Sequence, residues 1–251
     1  MAGETAAALA AASIVYREAG NTADADVCLQ HAQQLFDFAD QHRASYTGAI
    51  TDAAGFYQSH SGYSDELIWA AAWIAKATGE QTHIDRAVTF YNDLNGNTNP
   101  GLPGFSWDNK YLGAQILMHD ITGDSSYGTT ATSNFGSLLA SATFTPAGFM
   151  HLDNWGSARY VSNAAYLVMQ AKSQGVDLLG NGFPETLATN TIDYLKGANP
   201  LGMSYIVGYG SNFPQQPHHR GSSCPASGAC GWTEKDSANP NPMVIFINYK
   251  L

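Results

Sequence analysis

Residues 65–93 read DELIWAAAWIAKATGEQTHIDRAVTFYND and predict two consecutive helices. Alanine and larger apolar residues dominate the first half, from Asp65 to Thr78, and alanine has the highest helix propensity of all residues. Gly79 is expected to end this helix, because glycine adopts the left-handed conformation that often follows a helix. A second helix is expected from Thr82 to Asp93. The stretch therefore predicts an αα-hairpin with a very short connection.

The rest of the chain predicts more helices of the same kind. An Ala-rich segment runs from Glu4 to Gly20, and another helical pattern runs from Ala23 to Arg43. Further helical patterns cover residues 110–122, 125–140, 158–174 and 184–196. Short and long connections alternate, few segments alternate with the two-residue period of a strand, and no sequence repeat is visible. We therefore expect an all-α toroid or solenoid of stacked αα-hairpins, followed after Gly197 by an irregular region rich in Gly and Pro.

The composition excludes several classes of function. Of the 251 residues, 44% are hydrophobic and 13% are charged, so the chain can bury a sizeable core. The formal net charge of -10 argues against nucleic acid and anionic membranes as partners and is compatible with a neutral sugar. No stretch is apolar enough to span a membrane, and no basic region precedes the apolar run after Met1, so we expect no signal peptide.

Residues 204–220, SYIVGYGSNFPQQPHHR, are the most specific segment of the sequence. Its glycines allow a tight turn and its prolines stiffen the approach to His218, His219 and Arg220. Imidazole and guanidinium donors on such a loop suit sugar hydroxyls or a catalytic carboxylate. Two alternatives remain open: His218, His219, Cys224 and Cys230 provide zinc-type ligands at an unusual spacing, and Cys224 and Cys230 could form a disulfide if the protein is secreted.

This segment resembles the His-containing signature of glycoside hydrolase family 9, the endo-β-1,4-glucanases. The matching positions are Ser204, Gly210, Asn212, Pro217, His218 and Arg220. GETAAALAAASIV, LFDFADQHRASY, YSDELIWAAAWIAKATG, GFSWDNKYLGAQILM and NWGSARYVSNAAYL resemble the same family, and RGSSCPASGACGW resembles its animal-type members. The resemblance covers residues 2 to 243 and implies a single, partial catalytic domain over residues 1–251.

The resemblance implies an (α/α)6 barrel with an open cleft for a β-1,4-glucan chain, which is hydrolysed with inversion. Here the barrel is expected to be incomplete, because the Ala-rich helix starts without a lead-in and the chain stops on the apolar run MVIFINYKL. The family's base lies in a DAGD-type motif upstream of that helix, and its acid is a Glu downstream of ANPNP. Neither position can be matched in this sequence, so we expect both catalytic carboxylates to be absent from it.

The resemblance also implies roles for individual residues. His218, the signature histidine, and Arg220 would contact the sugar beside the cleavage point. Tyr57 matches an aromatic position of the cleft, and His60 stands where some relatives carry Trp. Aromatic positions that line the sugar subsites are matched by Trp155 and Tyr160. The parent family is secreted, so the implied location is extracellular.

Many members of this family bind a structural calcium ion, and five positions here match its ligands: Ser61, Gly62, Asp65, Glu66 and Asp108. Hard oxygen ligands of this kind suit calcium. Without the resemblance, the charges of Asp65 and Glu66 are explained by their favourable position at a helix N-terminus.

Other functions compete with catalysis by this chain. Asp52, Asp108 and Asp153 lie in loops near the matched aromatic residues, although nothing in their sequence context marks an acid or a base. A non-catalytic glucan-binding protein would use the same aromatic residues without cutting the chain. A helical scaffold for protein partners would instead show a large exposed apolar groove.

Overall fold

The computed structural model describes residues 1–180, 186–217, 219–226, 238–241 and 246–247, with the backbone alone at 220, 246 and 247. The chain forms two compact units. Unit 1 comprises Met1–Gly101, Phe105–Ser137 and Gln170–Leu178, and unit 2 comprises Leu102–Gly104, Leu138–Met169 and the described part of Leu179–Leu251. The single domain expected over residues 1–251 stays a prediction.

Helices make up most of the described chain. They are α1 (Ala2–Glu18), α2 (Thr22–Gln41), α3 (Ser64–Thr78), α4 (Gln81–Asp93), α5 (Tyr111–Thr122), α6 (Ser125–Ser141), α7 (Ser157–Ser173), α8 (Leu187–Lys196) and the one-turn helix α9 (Arg220–Ser223). Two short antiparallel ladders accompany them: β1 (Thr143–Phe144) pairs with β2 (Met150–His151), and β3 (Ile206–Val207) pairs with β4 (Phe246–Ile247).

The predicted hairpin over residues 65–93 is confirmed as α3 and α4. Gly79 ends α3 with φ +65°, a left-handed conformation that side chains disfavour, and Gly123 ends α5 in the same way with φ +71°. The end predicted for α2 was wrong by two residues. The helix stops at Gln41, and Arg43 instead folds back so that its Nε donates to the Asp40 carboxylate at 2.9 Å. The predicted start of α8 at residue 184 lies outside the described residues.

In unit 1, α1 packs on α2 and α3, and α3 also packs on α4 and α5. Small residues permit this close packing: a Cβ added at Gly3 would lie 2.9 Å from the carbonyl oxygen of Glu66. The core side chains are mostly alanines with a few large groups, which include Phe36, Leu67, Ile68, Phe90, Leu117 and Met118. α3 is buried on most of its surface, so it is the central helix of this unit.

From α1 to α7 the connections alternate in length as the sequence predicts, whereas the connection from α7 to α8, residues 174–186, is longer than the alternation predicts. Residues 19–21, 79–80 and 123–124 are the short ones, and each joins the two helices of a hairpin. Residues 42–63, 94–110 and 142–156 are the long ones, and each joins one hairpin to the next. Two of the long loops, residues 42–63 and most of 94–110, belong to unit 1, where the contacts described below bring them together.

In unit 2, aromatic stacking and backbone hydrogen bonds organise the described residues. Phe149 stacks on Tyr194 with ring centroids 4.2 Å apart, and Tyr194 is parallel to Tyr205 at 6.2 Å. The Gly/Pro-rich region contains α9 and strand β3, which the sequence analysis did not predict, because two- and four-residue elements are too short to show a period. Across the described part of the chain, no helix has the length and apolar character to cross a membrane.

Candidate functional site

Asp108 joins the two long loops of unit 1. Its two carboxylate oxygens each accept the backbone N–H of His60 at 3.0 Å, and Oδ2 also accepts the N–H of Ser61 at 3.2 Å. In return, the hydroxyl of Ser61 donates to the carbonyl oxygen of Asp108. Hydrogen bonds to a charged acceptor are roughly twice as strong as neutral ones. The segment around His60 is therefore fixed relative to the turn that carries Asp108.

An exposed aromatic pair lies on these joined loops. The rings of Tyr57 and Trp107 meet edge to face, with centroids 5.6 Å apart and planes at 89°. Tyr57 is 59% exposed and Trp107 is 36% exposed, and the neighbouring Phe56 is exposed as well. The hydroxyl of Tyr46 donates to the carbonyl oxygen of Tyr57, which holds the backbone behind the ring. The pair thus presents flat apolar faces to solvent from a backbone anchored by hydrogen bonds.

Such a surface suits a sugar ring. Sugars combine apolar C–H faces with hydroxyl groups at their edges, and Tyr and Trp combine an apolar ring with a polar handle. The side chain of His60 is also exposed, and its backbone N–H is already committed to Asp108. The arrangement therefore offers stacking faces beside polar groups, although it provides no pair of carboxylates around an open space.

A pair of buried carboxyl groups lies at the start of α3. Asp65 is fully buried and Glu66 is nearly so, and the backbone N–H of Lys110 donates to Asp65 Oδ2 at 2.7 Å. The pKa of Glu66 is raised to about 8, first because burial disfavours a desolvated carboxylate and second because the negative charge of Asp65 lies nearby. The N-terminus of α3 thus holds two adjacent buried carboxyl groups whose negative charges repel each other.

These residues fit a calcium ion in their chemistry. Within the described chain, Asp65 Oδ1 and Glu66 Oε2 are buried and have no hydrogen-bond partner, which is costly unless a cation or donor satisfies them. No three His, Cys, Asp or Glu side chains among the described residues gather into a possible metal site, and the Asp108 carboxylate is committed to amides. Calcium here would need carbonyl oxygens and water to complete its shell of six to eight oxygens.

In unit 2, the two matched aromatic residues differ in exposure. Trp155 is 57% exposed, and its backbone N–H donates to Asp153 Oδ1 at 2.7 Å. Tyr160 is only 5% exposed, so its ring presents no open face for stacking. Its hydroxyl accepts a hydrogen bond from Arg159 Nη2 at 2.7 Å, and that guanidinium lies 4.6 Å from the centroid of the Tyr160 ring. A sugar-lining role for Trp155 and Tyr160 stays a prediction.

The signature loop is only partly described. His218 lies outside the described residues, and Arg220 begins α9 with its side chain undescribed. Asn239 supports the backbone around them, since its Nδ2 donates to the carbonyl of Pro217 at 2.9 Å and to Ser222 Oγ at 3.0 Å. The predicted contacts of His218 and Arg220 with sugar remain predictions.

The zinc alternative loses one ligand. Cys224 is in a disulfide, so it has no thiolate to offer a metal. Cys230 lies outside the described residues, as does His218. The exposed His219 would be the remaining described ligand of that set.

The three loop carboxylates do not form an acid–base pair. Asp52 is exposed in a single 3-10 turn, Thr51–Ala53, and Asp108 is occupied by backbone amides. Asp153 accepts the N–H of Trp155. Their contacts are those of turn and loop residues.

Trp107 was missed as a site residue by the sequence analysis, although it lies in GFSWDNKYLGAQILM. An aromatic residue between Ser and Asp in a turn-rich segment was the available signal, since exposed loop aromatics often bind ligands. Its pairing with Tyr57, 50 positions earlier in the chain, cannot be read from the sequence.

Comparison with known proteins places this chain in a family. The family model described as Glycosyl hydrolase family 9 matches residues 1–246. Endoglucanase 7 of Oryza sativa subsp. japonica is 36% identical over 97% of this chain and 54% of its own length. An endoglucanase structure from the termite Nasutitermes takasagoensis has a TM-score of 0.83 and 40% identity, over 96% of this chain and 54% of that chain. Endoglucanase CelQ from Clostridium thermocellum, complexed with cellotetraose, has a TM-score of 0.71 and 34% identity, over 88% of this chain and 37% of that chain.

These similarities confirm two predictions. The all-α fold is part of an (α/α)6 barrel, and the resemblance to the family, with an animal member among its relatives, is correct. The chain spans about half the length of the termite and rice proteins it matches.

Proposed function

Because this chain belongs to glycosyl hydrolase family 9, we propose that it forms the glucan-binding part of an endo-β-1,4-glucanase, which hydrolyses internal bonds of cellulose with inversion. The exposed Tyr57–Trp107 pair carries this proposal, since it presents stacking faces on the joined loops of unit 1. The similarity to a structure complexed with cellotetraose supports a β-1,4-glucan as the ligand.

In the proposed reaction, a carboxylate base activates water and a carboxylic acid protonates the leaving oxygen. In inverting enzymes the two groups lie roughly 6.5–9.5 Å apart, which leaves room for the water. We propose that neither group is among these 251 residues, since no position matches the family's base or acid motif. Tyr57 and Trp107 would orient the sugar rings, with Trp155, His60, His218 and Arg220 as further contacts.

We propose that calcium, where present, is structural. Asp65 and Glu66 would supply carboxylate oxygens, and Ser61, Gly62 and Asp108 would supply oxygens from the adjoining loops. The ion would neutralise the two buried carboxyl groups at the start of α3. The same residues hold both loops of the aromatic pair, so the ion would stiffen the glucan-binding surface.

The first experiment is the release of reducing ends from a soluble β-1,4-glucan by the purified 251-residue chain, with His218→Ala as the control. No release, together with retained binding of the glucan, supports the proposal that the acid and base lie elsewhere. Release that His218→Ala abolishes would contradict it and would make Asp52, Asp108 and Asp153 the groups to substitute next.

A second candidate is a non-catalytic glucan-binding protein. The aromatic pair favours it, because its contacts lie within residues 46–108 and need no catalytic carboxylate. Glucan binding without product, when measured on the protein isolated from its natural source, would favour a binding protein over an enzyme.

We also propose that the protein works outside the cell. The disulfide at Cys224 supports this location, since disulfides persist in oxidising compartments.

A further inference from the structure

Lys110 is a buried lysine directly before α5. It is 4% exposed, its Nζ donates to the carbonyl oxygen of Ser106, and the same Nζ lies 3.4 Å from Glu4 Oε2. Its backbone N–H donates to Asp65 Oδ2 at 2.7 Å. Lys110 therefore contacts the first turn of α1, the first turn of α3 and the loop that precedes α5.

The loop it contacts is a tight turn over residues 106–109. Ser106 Oγ accepts the N–H of Asp108 at 3.3 Å and the N–H of Asn109 at 3.2 Å, and the N–H of Ser106 donates to the Asn109 carbonyl at 2.9 Å. Trp107 is at the tip of this turn. The Lys110 ammonium donates to the Ser106 carbonyl oxygen at the base of the turn. Removing the ammonium would leave this buried carbonyl without a hydrogen bond and would favour opening of the turn.

Stability alone does not explain a lysine at this position. Burying an ammonium group costs several kcal/mol unless it is well paired. The carboxylate near Lys110 is that of Glu4, whose side chain is 45% exposed as a whole although the facing Oε2 atom is buried and makes no hydrogen bond, so this pair is weak and only partly screened by solvent. An unbranched apolar side chain would fill the same space without that desolvation. An apolar side chain could not, however, donate a hydrogen bond to the Ser106 carbonyl oxygen.

We propose that Lys110 is a positioning residue that sets the orientation of Trp107 for a sugar ring. Through the turn at 106–109 it would fix the Tyr57–Trp107 pair, which Asp108 ties to the other loop. The proposal rests on the proposed function, in which this pair stacks on a glucan. It makes Lys110 a determinant of glucan affinity that touches no sugar.

The test compares Lys110→Met with Lys76→Met in the full chain. Lys76 lies on α3 and is paired with Asp120, so its substitution removes the same charge away from the turn. Three quantities are measured: the melting temperature, the near-UV circular dichroism signal of Trp107 and the calorimetric affinity for cellohexaose. The Trp107 signal is the difference between the spectra of the wild type and of Trp107→Phe.

We expect Lys110→Met to melt within a few degrees of the wild type, to lose the Trp107 signal and to bind cellohexaose about tenfold more weakly, a cost of about 1.4 kcal/mol. Lys76→Met is expected to keep the signal and the affinity, and Lys110→Arg, which retains donors, to recover part of both. An unchanged Trp107 signal in Lys110→Met would overturn the proposal, and so would its unfolding, which would indicate a purely structural lysine. A wild type that does not bind cellohexaose would refute the proposed function, while the Trp107 signal would still decide the role of Lys110.

Discussion

Replacing Gly113 with alanine is expected to destabilise unit 1, although the same change usually stabilises a helix. Gly113 lies in α5, and an added Cβ would be 2.5 Å from Phe105 Cε2 and 3.0 Å from Trp69 Cζ3. Carbon atoms in contact prefer about 3.5–4.0 Å, so the new methyl group would overlap the Phe105 ring by about 1 Å. Overpacking costs roughly 1–3 kcal/mol, and the gain in helix propensity is at most about 1 kcal/mol.

After the gain in helix propensity is subtracted, the net effect on the free energy of unfolding is a loss of up to about 2 kcal/mol. For a chain of this length that corresponds to a fall in melting temperature of up to about 8 °C. The matched control is Gly136→Ala in α6, where the glycine is exposed and nothing lies within 4 Å of the added Cβ. The control is expected to raise the melting temperature by about 2 °C, through helix propensity alone. Both variants are followed by far-UV circular dichroism on heating. If Gly113→Ala stabilises the chain as much as Gly136→Ala does, α5 does not pack on Phe105 and Trp69 as described.

Three further predictions concern the loop contacts of Asp108, the calcium site and the Cys224 disulfide. Asp108→Ala removes the charged acceptor of the His60 and Ser61 amides and should lower the free energy of unfolding by about 2 kcal/mol. An unchanged melting temperature would show that these hydrogen bonds do not hold the two loops together. Millimolar calcium should raise the melting temperature of the wild type above that in EDTA and leave Asp65→Ala unaffected, whereas an equal rise in both would place the ion elsewhere. Reduction of the Cys224 disulfide should cost about 2–3 kcal/mol, and alkylation of Cys224 without a reductant would show that it is a free thiol.

The helices could be predicted from the sequence because their signals are local. Alanine-rich stretches propagate as helix, and Gly79 and Gly123 supply the left-handed residue that ends one. The alternation of short and long connections followed from the same signals.

The site could be predicted only in part, because its geometry depends on contacts between distant residues. His60 and Asp108 are 48 positions apart, and no local sequence pattern predicts that the Asp108 carboxylate accepts the backbone N–H of His60. The exposure of Trp107 and the burial of Tyr160 are also consequences of packing. Resemblance to a family drew attention to Tyr57 and Asp108, but it did not indicate that the Asp108 carboxylate binds the amides of the other loop.

The stability of the loops also depends on side chains that carry no sequence signature. Lys110 reads as an ordinary surface residue at the start of a helix, and the structure buries it. The strand pair β3–β4 joins residues about 40 positions apart and spans two residues on each side, too few to show a strand period.

The most direct test of the central claim is a calorimetric titration of the 251-residue chain with cellohexaose and, in parallel, with maltohexaose. The first sugar has β-1,4 linkages, and the second is built of the same rings with α-1,4 linkages. We expect binding of cellohexaose alone, and we expect the Tyr57→Ala, Trp107→Ala double variant to lose it. Equal binding of both sugars, or undiminished binding of cellohexaose by the double variant, would contradict a β-1,4-glucan site built on this aromatic pair.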